Sequence, residues 1–151
     1  MLLEKEIHQV NPFRNTYHKA TVNLIFTGKW IVQFHSDILK PYKLSLQQYN
    51  ILNILHNKYP EGVTIKLIRE LMLDRMSDAS RIVEGLRKKG LLERSVREND
   101  RRSMDVVITA KGINLLKKLE EKEDERLDKG LSALNNTEIN QLNTLLDKLR
   151  G

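Results

Sequence analysis

Between Arg75 and Arg102 the chain sets Arg75, Arg81, Arg87, Lys88, Lys89, Arg94, Arg97, Arg101 and Arg102 against Asp78, Glu84, Glu93, Glu98 and Asp100. Guanidinium and ammonium groups at this density neutralise phosphate oxygens, and the affinity they supply falls with salt. Outward Ser and Arg side chains on a helix can also hydrogen-bond the edges of bases in the major groove. The chemistry on offer is recognition of a polyanion rather than bond making. A Gly-rich phosphate loop, a G-x-S-x-G elbow and a catalytic cysteine are all missing from the sequence, and its acidic residues mostly interleave with Lys and Arg at helix-surface spacing. No enzyme is expected.

The whole composition agrees. The 151 residues carry a formal charge of +6, which favours a polyanionic partner, although a solvated basic surface would give the same sum. With no cysteine, disulfides, thiolate nucleophiles, Cys-ligated zinc and thiol redox sensing are excluded. His8, His18, His35 and His56 lack metal-ligand spacing, so neither metal nor cofactor is expected. The segment Met1–Glu6 lacks the basic-then-apolar order of a signal peptide, and no run approaches the roughly 18 apolar residues of a membrane span. The expectation is one domain over residues 1–151, in the cytoplasm, with no membrane partner.

Six helices and two strands must position the charge. Apolar residues from Phe13 to Leu39 fall at helical spacing on two neighbouring stripes, which predicts a helix buried on more than one side and ended by Pro41. Ser45 with Gln48 forms a capping box for a second helix that stops before Pro60. Thr64 caps a short third helix with Leu67, Ile68, Leu71 and Met72 inward, and a fourth runs up to Lys89 with Ala79, Ile82, Val83 and Leu86 inward. Two short helices joined tightly make a helix-turn-helix. Ser77, Asp78, Arg81, Glu84, Gly85 and Lys88 are left facing outward.

Gly90 reads as a left-handed helix terminus, after which Leu91–Arg97 and Met104–Thr109 read as strands around a projecting polar loop, Glu98 to Ser103. Thr109 then caps a fifth helix whose fully charged stretch, Glu120 to Arg126, predicts a solvated stem. A last helix after Asn135-Asn136-Thr137 carries Ile139, Leu142, Leu145, Leu146 and Leu149, which need a partner such as the first helix or a second chain. The fold class is mainly α with a small β-hairpin.

The segments Ser77–Leu86, Lys89–Arg94 and Asp100–Ser103 leading to Ile108-Thr109-Ala110-Lys111-Gly112, with Leu44–Tyr49 before them, resemble the MarR family of bacterial transcriptional regulators. The chain departs from that pattern with Leu73-Asp74 where many members have a glycine, and with Arg69 at a usual alanine. The resemblance implies a winged helix-turn-helix lobe over 44–111, with dimerisation helices at 1–40 and 112–151. It also implies a homodimer on double-stranded DNA with a near-palindromic operator, acting as a repressor and released by a small aromatic or anionic effector. By position, Ser77, Ser80 and Arg81 match recognition-helix contacts, and Asp100 with Arg102 matches a wing pair whose Arg enters the minor groove.

The DNA-facing set is therefore Ser77, Asp78, Ser80, Arg81, Lys88, Arg94, Arg97, Asp100, Arg101 and Arg102. Ser77 and Ser80 could equally cap the fourth helix, and basic residues at its end also complement its dipole. Tyr17, Trp30, Phe34 and Tyr49 could line an effector pocket or belong to the core. The rival functions are an effector-free architectural DNA binder and a protein-binding winged-helix module.

Overall fold

The computed structural model describes residues 2–97, 100–131 and 133–151, without the side chains of residues 96, 97, 100–104 and 125–131. The chain forms α1 (Leu3–Glu6), α2 (Thr16–Leu39), a 3-10 turn (Lys40–Tyr42), α3 (Leu46–Lys58), β1 (Val63–Thr64), α4 (Ile65–Leu71) and α5 (Ala79–Lys88). The hairpin β2 (Leu92–Arg97) and β3 (Asp100–Ile108) follows, then α6 (Ala110–Leu131) and α7 (Asn136–Arg150).

Local chemistry sets most of these ends. Asn15 accepts from the His18 amide to start α2. The Ser45–Gln48 box closes in both directions at the head of α3, Thr64 accepts from the Leu67 amide, and Thr109 accepts from the Gly112 amide. Each satisfies an amide that a helix start would otherwise leave without a partner. At the end of α5 the Gly90 amide donates to Arg87 O at 2.9 Å and the Leu91 amide to Leu86 O at 3.1 Å. With Gly90 at φ +70° this is the paired-bond helix terminus that favours glycine.

The sheet is three-stranded and antiparallel in the order β1–β3–β2, not a hairpin alone. Val63 pairs with Val106, and Leu92 with Ile108. β1 was invisible to periodicity because two residues carry no period. Its approach to β3 requires Gly62, where a Cβ would stand 2.6 Å from Asp105 Cβ.

A single apolar core lies where α3, α4, α5, the sheet and the start of α6 meet. Ile51, Leu52 and Leu55 of α3 pack with Ile68, Val83, Leu86, Leu92, Val106, Leu116 and Leu119. Every buried residue among those described is apolar. This core fixes the orientation of α5 against the sheet, and burial of large aliphatic side chains supplies most of the driving force.

Further expectations are corrected. Leu67 and Leu71 are exposed, not inward. Ile68 and Met72 lie on one i, i+4 line and reach the core, whereas Leu67 and Leu71 lie on the adjacent line, about 100° round the helix axis. The wing strand begins at Asp100, so the backbone of 100–103 belongs to β3 and not to a loop. Between the pairs Val96–Met104 and Arg97–Asp100 the register steps one residue on β2 and four on β3, an irregularity of the bulge type. Strand pairing is a backbone property, and Asp100-Arg101-Arg102-Ser103 has no apolar alternation to announce it.

The charged stretch of α6 is not wholly solvated. The Glu123 side chain is only 18% exposed, and it takes the Tyr49 hydroxyl at 2.5 Å and His35 Nδ1 at 2.9 Å. Only Ile38 and Leu39 of α2 are buried, and α7 buries no residue at all. The double apolar surface expected of α2 is therefore largely uncovered within one chain.

Candidate nucleic-acid interface

The turn between α4 and α5 carries no glycine, and an aspartate organises it instead. Asp74 accepts from the Met76 amide at 3.1 Å and from the Ser77 hydroxyl at 2.7 Å. From α3, the Asn50 side chain accepts from the Leu73 amide at 3.0 Å. The Ser77 hydroxyl, the Met76 amide and the Gln47 side chain hold the Asp74 carboxyl below the usual carboxylate range. A short acceptor that closes on backbone two residues ahead does what a turn glycine does by conformational freedom.

Asp78 caps α5 by accepting from the Arg81 amide at 3.1 Å. Neither Ser77 nor Ser80 caps it, so the choice left open between them falls to the residue between. Ser80, Arg81 and Lys88 are exposed on α5. Ser80 and Arg81 make no side-chain hydrogen bond or ion pair among the described residues and are available to an outside acceptor. Ser77 and Asp78 serve the turn and the cap.

Glu84 organises the basic end of the same face. It holds Arg87 through two bonds of 2.8 and 3.0 Å and stands 3.6 Å from Arg94 of β2. The Arg87 bond keeps the Glu84 carboxyl below its usual range, and Glu84 raises Arg87 in turn. Arg94 is thus joined to α5 across the helix–strand junction. Lys89 turns inward to Lys43 O and Gln48 Oε1.

The wing residues Arg97, Asp100, Arg101 and Arg102 have backbone in strands, with Arg97 paired to Asp100. Their side chains lie outside the described residues, as do Glu98 and Asn99 entirely.

The structure sets the four aromatic residues in different surroundings. Trp30 and Phe34 stack one turn apart on α2 with ring centroids 5.8 Å apart. Tyr49 is across the junction with α6, where burial and Glu123 push its phenol up to about 12. Tyr17 is 83% exposed. A cavity of about 520 Å³ between α1 and α2 is lined by Leu3, Lys19, Phe26 and Trp30 among others, and of the four aromatics it includes Trp30 alone. Sequence reasoning missed Asp74, Gln47 and Asn50; the available signal was a short polar side chain three residues before Ser77. Among the described residues no group of three His, Cys, Asp or Glu is placed to hold a metal ion, and no helix is long and apolar enough to cross a membrane.

Residues 44–104, from the residue before the α3 cap into the wing, match the model of the MarR family. The winged-helix lobe of this chain is a MarR-family domain. Among relatives, the chain is 34% identical over 101 residues to the HTH-type transcriptional regulator Hpr of Bacillus cytotoxicus, a match that covers 65% of this chain and 54% of that protein. It is 33% identical to Hpr of Bacillus mycoides over 57% of this chain and 45% of that one. The chain thus spans about half the length of the curated relatives it matches.

Among solved structures, a MarR transcription factor from Planctomyces limnophilus superposes with a TM-score of 0.68 at 29% identity, over 90% of this chain and 98% of that one. Such coverage extends the MarR-family likeness beyond the lobe into the terminal helices. The MepR–DNA complex of S. aureus has the same fold, with a TM-score of 0.75 at 23% identity over 85% of this chain and 94% of the other.

Proposed function

We propose that the chain is a transcriptional regulator that binds double-stranded DNA as a homodimer, with α5 in the major groove and the β2–β3 wing at the adjacent minor groove. The observation that carries this is the α5 face. Ser80 and Arg81 stand free on a helix whose start is fixed by Asp74 and Asp78, in a lobe of MarR-family type. A fixed helix start sets which side chains meet base edges, because helix-turn-helix recognition uses the N-terminal residues of the second helix. The MepR–DNA neighbour supports the same use of the fold.

The dimer follows from the uncovered apolar side chains of α2 and α7, among them Leu24, Trp30, Ile31, Leu145 and Leu149. A second copy would cover both faces and present two recognition helices to a near-palindromic operator, where the protein acts as a repressor. A small aromatic or anionic effector would enter the cavity beside Trp30 and Phe26, which Glu6 also lines and where an anion would compete with Glu4 for the Lys19 ammonium.

The test is fluorescence anisotropy with a duplex selected from a random-sequence pool, against a scrambled duplex of equal composition. Binding that prefers the selected duplex, weakens with salt and is lost in Arg81→Ala is the expected result. Equal affinity for both duplexes would leave an architectural binder, and no binding to either would leave a protein-binding module.

A further inference from the structure

Two large apolar side chains in the turn before α5 touch almost nothing. Met76 is 95% exposed and Leu73 is 87% exposed. Neither sits on a loose segment, since Asp74 takes the Met76 amide and the Ser77 hydroxyl, and Asn50 takes the Leu73 amide. The turn therefore holds a flexible, unbranched thioether side chain at a fixed place two residues ahead of the Asp78 cap. Leu73 lies five residues ahead of the cap, beside α3. Met76 is the exposed large apolar side chain nearest in sequence to the helix end that meets base edges in a helix-turn-helix, since Ala79 is buried.

We propose that Met76 contacts the 5-methyl groups of thymines in the major groove, so that it reads base identity by apolar contact where Ser80 and Arg81 on α5 offer hydrogen bonds. This rests on the DNA-binding function proposed above. The major-groove edge of an A·T pair offers one apolar group, the thymine methyl, and only an apolar side chain gains by covering it. Ser77 and Asp78 direct hydrogen-bonding atoms to the turn and the cap, and Met76 between them and Asp74 keeps an uncommitted apolar side chain. Methionine suits the task because its three rotatable bonds let it follow a methyl group without strain in the backbone.

The experiment uses the full chain and one duplex selected by the wild type, synthesised with thymine or with uracil, which differ only by that methyl. Wild type is expected to bind the uracil duplex about fourfold more weakly for each contacted methyl, the factor that corresponds to burying one such carbon. Met76→Ala is expected to bind both duplexes alike, and Met76→Leu to recover the difference. The salt dependence should stay the same in all three proteins, because no charge changes. Wild type indifferent to uracil would overturn the proposal, and so would a thymine-to-uracil loss in Met76→Ala as large as in wild type. Met76 would then serve a protein contact instead. Failure to select any duplex would instead remove the DNA-binding function itself, an outcome that does not depend on the methyl group.

Discussion

The Tyr49 hydroxyl of α3 donates to Glu123 Oε2 of α6 at 2.5 Å. Because His35 of α2 meets the other oxygen of the same carboxylate, one side chain joins the recognition lobe to both long helices. A half-buried phenol facing a carboxylate resists ionisation, which is why its pKa rises to about 12.

Tyr49→Phe should destabilise the fold by about 1.5 to 3 kcal/mol, the range for a hydrogen bond to a charged acceptor, as read by urea denaturation. The pH dependence has a definite sign. A phenol raised from 10 to about 12 in the folded chain binds its proton more tightly than in the unfolded chain, so its contribution is complete below pH 10 and disappears as pH rises through 12. Wild type should therefore lose more stability than Tyr49→Phe over that window, and parallel curves would exclude the bond.

Gly112→Ala should cost about 1 to 3 kcal/mol through overpacking. A Cβ there would stand 2.4 Å from Leu91 O and 2.7 Å from Ile108 Cγ1, and the backbone oxygen cannot swing away. An unchanged denaturation midpoint would show that α6 can slide on the sheet.

Leu145→Asp with Leu149→Asp should convert a dimer into a folded monomer, because both leucines are exposed in the single chain and contribute nothing to its core. Apolar burial at about 25 cal/mol per Å² lets a few such side chains decide association. Sedimentation of wild type and variant at equal concentration checks this, and a monomeric wild type would contradict the proposed dimer.

Arg102→Ala should weaken operator binding by about 1 to 3 kcal/mol and lower the salt slope by about one. Asp100→Ala should weaken it as well, although the loss of an acidic group makes the wing more basic, because an arginine in a narrow minor groove has to be oriented. Tighter binding by Asp100→Ala would mean that the wing acts only as a cloud of positive charge.

Sequence showed what is settled locally. Ser45, Thr64, Gly90 and Thr109 each announce a helix end through a bond within five residues of chain, and the basic stretch from Arg75 starts in the turn before α5 and runs through α5 into the wing. Glu123 escaped because a charged run looks solvated until Tyr49, 74 residues away in sequence, is folded against it. The extra length of β3 escaped because no apolar residue marks it. Pocket and core stayed open for the four aromatics because helical spacing places residues round a helix without saying which neighbour each will meet.

Around Gly90 the end of α5 and the start of α6 are fastened to each other at several points. Thr109 Oγ1 donates to Gly90 O at 2.8 Å, Lys111 Nζ to Lys89 O at 2.7 Å, and the Thr109 amide to Leu91 O at 3.1 Å. With Gly112 pressed against the same strand end, the two helices make a crank whose short arm is α5 and whose long arm is α6. The 22 residues of α6 give that long arm a length of about 33 Å at 1.5 Å per residue. A tilt of about 5° that carries the far end of α6 by about 3 Å would carry the start of the 10-residue α5, about 15 Å from the joint, by about 1.3 Å. A displacement among the terminal helices is thus stepped down on its way to Arg81, where a shift of about 1 Å would still stretch a hydrogen bond to a base beyond its working length.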